Sequence, residues 1–556
     1  MAQQSYRANL SASIYPMALS RAGRSVIVPQ IDQNYDRRVD PTGEQKTPGI
    51  PQALYLENVL PTVEGYQSVG FQLNQAAGTP TETCVRLDIQ TVAYDDISIF
   101  FGCDTGTAKV FYRGTWYSVI MPTNPPGHTF DAAATYSFAV VRGAVFIMQS
   151  TQLLSHIYYL EFQTPAFYLS WTDDSAGTGA QFQPVGVLAD VVSITGSYGY
   201  LLLLKPETAS FTPNETNILW SSLLDPKDFT PSLVTGSGGG AVAAAEGYPQ
   251  HIKATSYGFL IYCNNVVQAL YTGNPRYPFR FVGVNVDGPP TRYQQIVGQA
   301  DEETQVYFSQ HRNINLISRE GSSVLAPELT EYLERHTSVK DIFTSSTNTF
   351  SESVASLTKN HYVQFQMLGN RYIFISTASD VVSLSDDLIL YDDCYVFDRL
   401  LNRYGRIVLP HTDVVKNLRS VTVGTTQQYV GRIFFVNTLA GTTHSMEFDA
   451  AQAGATAHSG VLLLGRFQGV RNRRIILEEV ELESAAGTKE ACSLHILPSE
   501  DGKTFSSAVT PYEKAMSSKE VKQYFTHTEG KNICLLIKGG FDLSTVQINF
   551  HLGGHS

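Results

Sequence analysis

Charge is what this chain has least of. Only 16% of its 556 residues are Asp, Glu, Lys or Arg, well under the quarter or so usual for a globular chain. With 30 Tyr and 29 Phe beside so few charges, disorder is excluded and folded structure with extensive interfaces is expected. Cysteine is sparse as well. Cys84, Cys103, Cys263, Cys394, Cys492 and Cys534 lie far apart with no CxxC pair, which excludes a zinc ribbon or a dithiol motif and leaves buried free thiols as the expectation. No apolar run approaches the ~20 residues that span a bilayer. The opening "MAQQSYRANLSASIYPMALSRAGRS" has no continuous apolar stretch of signal-peptide type. A soluble protein made in a reducing cytoplasm, with no membrane span, is expected.

The familiar catalytic patterns are missing too. There is no HExxH and no GxSxG, and His551 and His555, four apart, flank a Gly553–Gly554 tail that does not read as helix. No catalytic constellation, metal site or cofactor is expected. The net charge of −12 belongs to one part of the chain. Residues 451–556 hold 11 basic and 11 acidic residues, and the preceding 450 hold 28 and 40. An acid-rich surface gains no counterion-release affinity for phosphate, so tight nucleic-acid binding is disfavoured, while passing contact with DNA stays open.

What the chain does have is a repeat. A short apolar strand, a polar or Gly turn and a second strand recur seven times, as in "DISIFFGCDTGTAKVFY" (96–112), "YGFLIYCNNVVQALYTG" (257–273) and "RIFFVNTLAGTTHSMEFD" (432–449). Counted from Ile97, Phe138, Tyr198, Tyr257, Val306, Tyr372 and Ile433, the intervals are 41, 60, 59, 49, 66 and 61 residues. About one four-stranded blade fits each interval, so the prediction is an all-β chain with a β-propeller of about seven blades, six to eight being open.

Residues 1–65 read as an irregular N-terminal arm rich in Gln, Pro and Arg, of the kind that lies over a neighbour or docks as an extra strand. Residues 66–450 form the propeller. After the small-residue linker "DAAQAGATAHSG" (449–460), residues 451–556 read as a C-terminal β-sandwich, with 508–525 a loop or short helix across one end. Only "APELTEYLER" (326–335) reads as a helix of any definition.

Five features invite a functional reading. "VTGSGGGAVAAAEGY" (234–248) breaks the strand rhythm. It reads as a mobile loop projecting from the disc into a lumen or onto a partner, since a phosphate-cradling loop would need a Lys-Ser/Thr ending. The pairs Asp95–Asp96, Asp173–Asp174, Asp386–Asp387 and Asp392–Asp393 could supply the two carboxylates of a glycosidase. Each sits beside a strand end, where Asp serves turns. "SEDGKTF" (499–505) is one residue short of the Asp-box spacing and occurs once, so an Asp-Gly hairpin turn accounts for it. Arg466, Arg471, Arg473 and Arg474 form the densest basic cluster, open either to phosphate or an acidic partner or to salt bridges with Glu478, Glu479, Glu481 and Glu483. Trp116, Trp171 and Trp220 are the only tryptophans, few for a glycan cleft.

Four stretches give a resemblance to a family: "YLENVLPTVEGYQSVGF" (55–71), "NILWSSLLDPKDFTPSL" (217–233), "FLIYCNNVVQALYTGNP" (259–275) leading to "LAPELTEYLER" (325–335), and the terminal segment with "PSEDGKTF" (498–505). Asn58, Gly65 and Gly70 fit the first, with Val69 where a basic residue is common. Trp220, Ser221, Asp225, Asp228 and Phe229 fit the second in type. Together these resemble the tail hub, or nozzle, proteins of short-tailed bacteriophages. The resemblance implies a structural, non-enzymatic virion protein in the tail, assembled in the host cytoplasm. It would be a homohexameric ring under the head-to-tail adaptor protein, contacting tail fibre or tail needle proteins. That ring would surround, and gate, a channel for genomic dsDNA that passes without tight binding. By the same analogy Thr235, Gly236, Ser237, Gly238, Gly239 and Gly240 would lie near the lumen or a ring interface. The rival expectation is a carbohydrate-binding or glycan-depolymerising propeller.

Overall fold

The computed structural model describes residues 4–9, 26–28, 52–63, 65–73, 86–92, 97–104, 107–112, 115–119, 135–142, 144–150, 155–161, 183–187, 191–204, 218–242, 244–247, 249–290, 297–299, 303–311, 313–325, 337–344, 347–356, 363–368, 371–378, 383–385, 388–401, 403–423, 426–437, 440, 442–447, 460–469, 474–484, 490–502, 504–506, 512–516 and 521–553. Among these residues there is no helix. The segment 326–335 and the linker at 449–459 lie outside the described residues.

Seven four-stranded antiparallel meanders follow one another. Blade 1 runs from Arg86–Val92 to Thr115–Val119, and blade 2 from Thr135–Val141 to Gln183–Val187. Blade 3 runs from Ser193–Ser197 to Gly238–Gly240, blade 4 from His251–Thr255 to Phe279–Asp287, and blade 5 from Val297–Gln299 to Gly321–Leu325. Blade 6 holds Val363–Leu368, Tyr372–Thr377, Asp393–Asp398 and Arg403–Ile407. Blade 7 takes three strands from Asp413–Val423, Thr426–Asn437 and Thr442–Glu447, and its fourth from the start of the chain, Gln72–Leu73 against Ser445 and His444. The first strand of blade 7 lies beside that of blade 1, so the array closes. Each of the seven sequence repeats falls in its own blade.

The centre is crowded because the seven first strands converge there. A Cβ on Gly196 would sit 2.4 Å from the Val140 carbonyl oxygen of the neighbouring blade, and one on Gly298 would sit 2.7 Å from the Phe365 Cβ. Only glycine permits that approach. First strands also have one edge without a ladder partner inside their own blade, and buried backbone groups need partners. Buried hydroxyls supply them across blades. The Ile194 amide donates to Ser137 Oγ at 3.0 Å, the Ala254 amide to Thr195 Oγ1 at 3.2 Å, and Ser197 Oγ to the Gly258 carbonyl at 2.8 Å. Between blades 4 and 5 the Tyr262 hydroxyl donates to Gln305 Oε1 at 2.6 Å, and Gln305 Nε2 donates to the Ala254 carbonyl at 2.7 Å.

The C-terminal part is a β-sandwich. One sheet is built from Gly460–Gly469, Asn532–Gly539, Glu490–Ser499 and Tyr512–Met516, the other from Ile475–Ser484, Val521–Gly530 and Asp542–Leu552. Between them lies a core that includes Leu462, Phe467, Leu477, Val480, Tyr524 and Phe550. Segment 508–525, expected to be loop or short helix, instead contributes Tyr512–Met516 and the start of Val521–Gly530. Its alternation, with Gln523 and Phe525 exposed and Tyr524 buried, is strand periodicity.

The arm is not irregular where it is described. Gln4–Asn9 pairs with Asp542–Leu552, Val26–Val28 and Gln52–Glu57 pair with Gly460–Gly469, and Val59–Pro61 with Tyr66–Ser68 forms a hairpin. That hairpin bridges Arg406 of blade 6 and Asp542–Leu543 of the sandwich, so ten strands from both bodies run in one sheet. Sequence boundaries at 65 and 450 therefore cut through a shared sheet. A second seam pairs the hairpin strand Thr349–Ser356 with Thr504–Ser506, and Lys538 Nζ donates to Asn348 Oδ1 there at 2.9 Å.

Candidate functional site

The glycine-rich segment is built around Trp220, the last residue of the third strand of blade 3. Its indole N–H donates to the Gly236 carbonyl at 2.9 Å. A Cβ on Gly238 would meet the indole at 3.3 Å and one on Gly240 at 3.5 Å. Gly238–Gly240 is thus the outer strand of the blade, paired in register with Ile218–Trp220 and bare so that the indole can lie against it. Phe279 of blade 4 meets the same indole edge-on at 6.0 Å.

Residues 221–237 fold into a knot of local bonds. The Ser222 amide donates to Asp228 O at 2.7 Å, Leu223 to Thr235 O at 3.0 Å, Ser232 to Ser237 O at 3.0 Å and Gly236 to Ser232 O at 2.9 Å. Asp225 and Asp228 accept the Lys227 and Thr230 amides, each at 2.9 Å, and these bonds hold the Asp228 carboxyl below its usual range. The Ser237 hydroxyl donates to the Thr230 carbonyl and lies 3.0 Å from Thr235 Oγ1. Gly236 has a φ of +74°, and a Cβ there would stand 2.9 Å from the Tyr200 hydroxyl. The expectation of a mobile, projecting loop is therefore corrected for Thr235 to Gly240. The Thr235 and Gly236 amides are spent on Ser232, and the three glycines are paired into the blade.

Of the acid pairs, Asp95–Asp96, Asp173–Asp174 and Asp386–Asp387 lie outside the described residues. In the fourth pair, Asp393 is gripped by Arg406, with Nε to Oδ1 and Nη2 to Oδ2 both at 2.8 Å. The guanidinium also donates to the Leu56 carbonyl at 3.2 Å and stacks over Tyr55 at 4.9 Å and Tyr395 at 5.9 Å. A carboxylate held in two directions by one cation is a structural pair, not a general acid. It pins the arm to blade 6.

A Ser-His pair escapes sequence reading. Ser376 and His411, 35 positions apart, meet with Oγ 2.8 Å from Nε2. Nδ1 faces the Leu409 carbonyl at 2.6 Å. A carbonyl only accepts, so the proton sits on Nδ1 and Nε2 accepts from the serine, the arrangement that activates a nucleophile. Both residues are sealed, at 1% and 0% exposure, and His411 is stacked on Tyr391 at 5.5 Å. Burial depresses its pKa to about 4. Sealed from solvent, the pair acts as a clasp between blade 6 and the lead-in to blade 7.

In the basic cluster, Arg471 and Arg473 lie outside the described residues, as does the side chain of Arg466. Arg474 pairs with Glu529 at 3.0 Å and Glu500 at 3.3 Å. The glutamates expected as partners are engaged elsewhere: Glu478 meets His551 Nε2 at 3.0 Å, Glu479 accepts from Asn549 Nδ2 at 2.6 Å, and Glu481 accepts from Gln523 Nε2 at 3.0 Å. Strand register explains the change, since Ile475 lies opposite Gly530 and brings Glu529 beside Arg474. In "SEDGKTF", Asp501 Oδ1 accepts from the Ser499 hydroxyl and the Thr504 amide, both at 2.9 Å, and Gly502 takes a φ of +69°. That is a turn, but its exit strand pairs with Thr349–Ser351 rather than folding back as a hairpin.

Cys263, Cys394, Cys492 and Cys534 are buried free thiols, and burial pushes the first three up to about 12. Among the described residues no group of three or more His, Cys, Asp or Glu is placed to hold a metal ion. No described helix is long and apolar enough to cross a membrane.

No protein-family model matches the chain, and no curated protein matches it either. Among solved structures, BamB from Moraxella catarrhalis is similar at 8% identity and a TM-score of 0.32, over 72% of this chain and 100% of that one. An exo-β-1,3-galactanase from Phanerochaete chrysosporium is similar at 10% identity and 0.22, over 76% and 96%. The WD40 domain of coronin from Toxoplasma gondii follows at 10% identity and 0.25, over 58% and 82%. At such scores the propeller assignment rests on this chain's own strand order, and nothing about activity comes across from them.

Proposed function

We propose that this chain is a structural, non-enzymatic component of the tail of a short-tailed bacteriophage. In this reading it forms a hub or nozzle ring below the head-to-tail adaptor, around the channel through which genomic dsDNA leaves. The observation that supports it most is the stitching. Arm, propeller and sandwich share a ten-stranded sheet, the first strands of the chain close both bodies, and the bidentate Arg406–Asp393 pair locks the junction. A body joined by main-chain ladders transmits force without hinging, which suits a conduit under packaged DNA. An acid-rich propeller is also a wall that lets DNA slide rather than bind. The hydrogen-bonded Thr235 to Gly240 segment is poorly suited to be a gate, so opening of the channel falls to other elements.

Imaging of purified virions tests this directly. The expected result is this chain in six copies on the tail axis, between adaptor and fibres. Its absence from virions, or density off the axis, would overturn the assignment. Incubation of the purified protein with host capsular or cell-wall polysaccharide is expected to release no sugar, and measurable turnover would replace this reading with the glycan-depolymerising one.

A further inference from the structure

We propose that the rim of blades 3 and 4 is a docking surface for the outer sandwich sheet of a second copy of this chain. The inference rests on the ring-forming reading above and names its interface. The rim carries four large apolar side chains turned to solvent: Leu224 at 76% exposure, Leu233 at 69%, Val234 at 91% and Tyr277 at 73%. They are neighbours. The Leu223–Thr235 backbone bond sets Leu224 beside Val234, and a Cβ on Gly236 would lie 3.5 Å from the Pro275 carbonyl in the turn that carries Tyr277. The knot of bonds through residues 221–237 holds this patch in place, so little order has to be gained on docking.

Its electrostatics are the reverse of the chain's. Residues 218–242 and 271–281 together with Arg142 carry Arg142, Lys227, Arg276 and Arg280 against only Asp225 and Asp228, in a chain of net charge −12. Both aspartates are turned into their own backbone. Arg142 Nη1 donates to the Leu224 carbonyl at 3.3 Å and so sits at the patch margin, while Arg276 and Arg280 are exposed.

The complementary surface lies on the sandwich. Phe525 stands 70% exposed on Val521–Gly530, the edge strand of its sheet, directly opposite Glu479. The strands Ile475–Ser484 and Val521–Gly530 carry Glu478, Glu479, Glu481, Glu483 and Glu529 beside Lys522. Glu529 is paired with Arg474 and Glu478 with His551, while Glu479 and Glu481, opposite Phe525 and Gln523, meet the neutral side chains of Asn549 and Gln523. An aromatic anchor among acids fits an apolar patch ringed by arginines. One copy cannot make this contact with itself. The sandwich is fused to blade 6, and blade 3 is three blades away, the farthest position in a closed array of seven. The contact is head-to-tail between copies, the kind that closes into a ring.

Sedimentation velocity on the purified full chain tests it. The wild type is expected to form a closed oligomer. The double variant Leu233→Asp with Val234→Asp, and separately Phe525→Asp, are each expected to lose at least about tenfold in association, the loss typical of an interface anchor. Mixed together, the two variants are expected to form pairs and nothing larger, because each retains one intact surface. Charge exchange provides a second route that spares the apolar residues. Arg276→Glu with Arg280→Glu should weaken association, and adding Glu479→Lys with Glu481→Lys should restore it. A monomeric wild type, an unchanged oligomer in either single-surface variant, or no pairing in the mixture would overturn the interface. The tail assignment would still be decided separately, by virion imaging.

Discussion

Blade 6 and blade 3 are built from the same four-stranded meander and present opposite surfaces. At blade 6 the outer strand Arg403–Ile407 is continued by the arm, and both its cations are consumed: Arg406 by Asp393, Leu56 and two tyrosine rings, and Arg403 by the Thr62 carbonyl at 3.0 Å. At blade 3 the outer strand is three glycines, Arg276 and Arg280 stand exposed nearby, and leucine, valine and tyrosine side chains stand in water. The first surface is finished within one chain. The second is rigid but unfinished, and in a protein with so few charges such a contrast marks which face the fold reserves for another molecule.

Breaking the finished side is expected to give the largest effect. Arg406→Ala leaves the largely buried Asp393 without its cation, and since loss of one partner of a fully buried pair costs about 3–5 kcal/mol, a cost of up to about 3 kcal/mol is expected here. Chemical denaturation followed by far-UV circular dichroism should show the sandwich and propeller separating into two transitions. Arg406→Lys should recover little, since lysine cannot make the two parallel bonds.

The blade 6–7 clasp gives the next effect, through pH. His411 titrates near 6.5 when unfolded and at about 4 when folded, because burial disfavours its cation. Above pH 6.5 neither state holds the proton, and the clasp contributes fully. As pH falls from 6.5 towards 4 the unfolded chain takes up a proton that the folded one refuses, so stability drops by about 1.4 kcal/mol per pH unit, about 3 kcal/mol in all. The difference in urea midpoint between wild type and His411→Asn, followed from pH 7 to 4.5, should shrink along that slope. A constant difference would mean that folded His411 takes up its proton as readily as the unfolded chain does.

The contrast between blades also separates what a linear reading finds from what it does not. The seven repeats are legible because a period-two apolar strand, a turn and a second strand recur, and the seeds Val306, Tyr372 and Ile433 fall in the successive blades 5, 6 and 7. The links between blades are not legible. Ser137 and Thr195 look like unremarkable strand residues until a neighbouring first strand, 57 and 59 positions on, offers an orphan backbone amide. Gly238–Gly240 reads as a loop by propensity, and only Trp220, eighteen positions earlier, makes it a strand. The closing strand Gln72–Leu73 carries no local mark of its partner at His444. Ser376 and His411 meet through tertiary packing alone.

On the unfinished side, Gly236→Ala tests rigidity without touching the exposed patch. Its φ of +74° is disfavoured for alanine, and the new methyl would push on the Tyr200 hydroxyl. Together these should cost about 1–2 kcal/mol, read as a lower thermal midpoint and faster amide exchange confined to residues 221–240. If exchange quickens throughout blade 3, the knot is part of the blade's core rather than a separately held platform.

The smallest effect is expected at Arg474. Its pairs with Glu500 and Glu529 are exposed to solvent on both sides, and those carboxylates keep its guanidinium firmly protonated. Exposed ion pairs lose most of their attraction to water and salt, so Arg474→Ala should leave the denaturation midpoint unchanged at physiological ionic strength. A clear fall would show that the residue does more than bridge two strands.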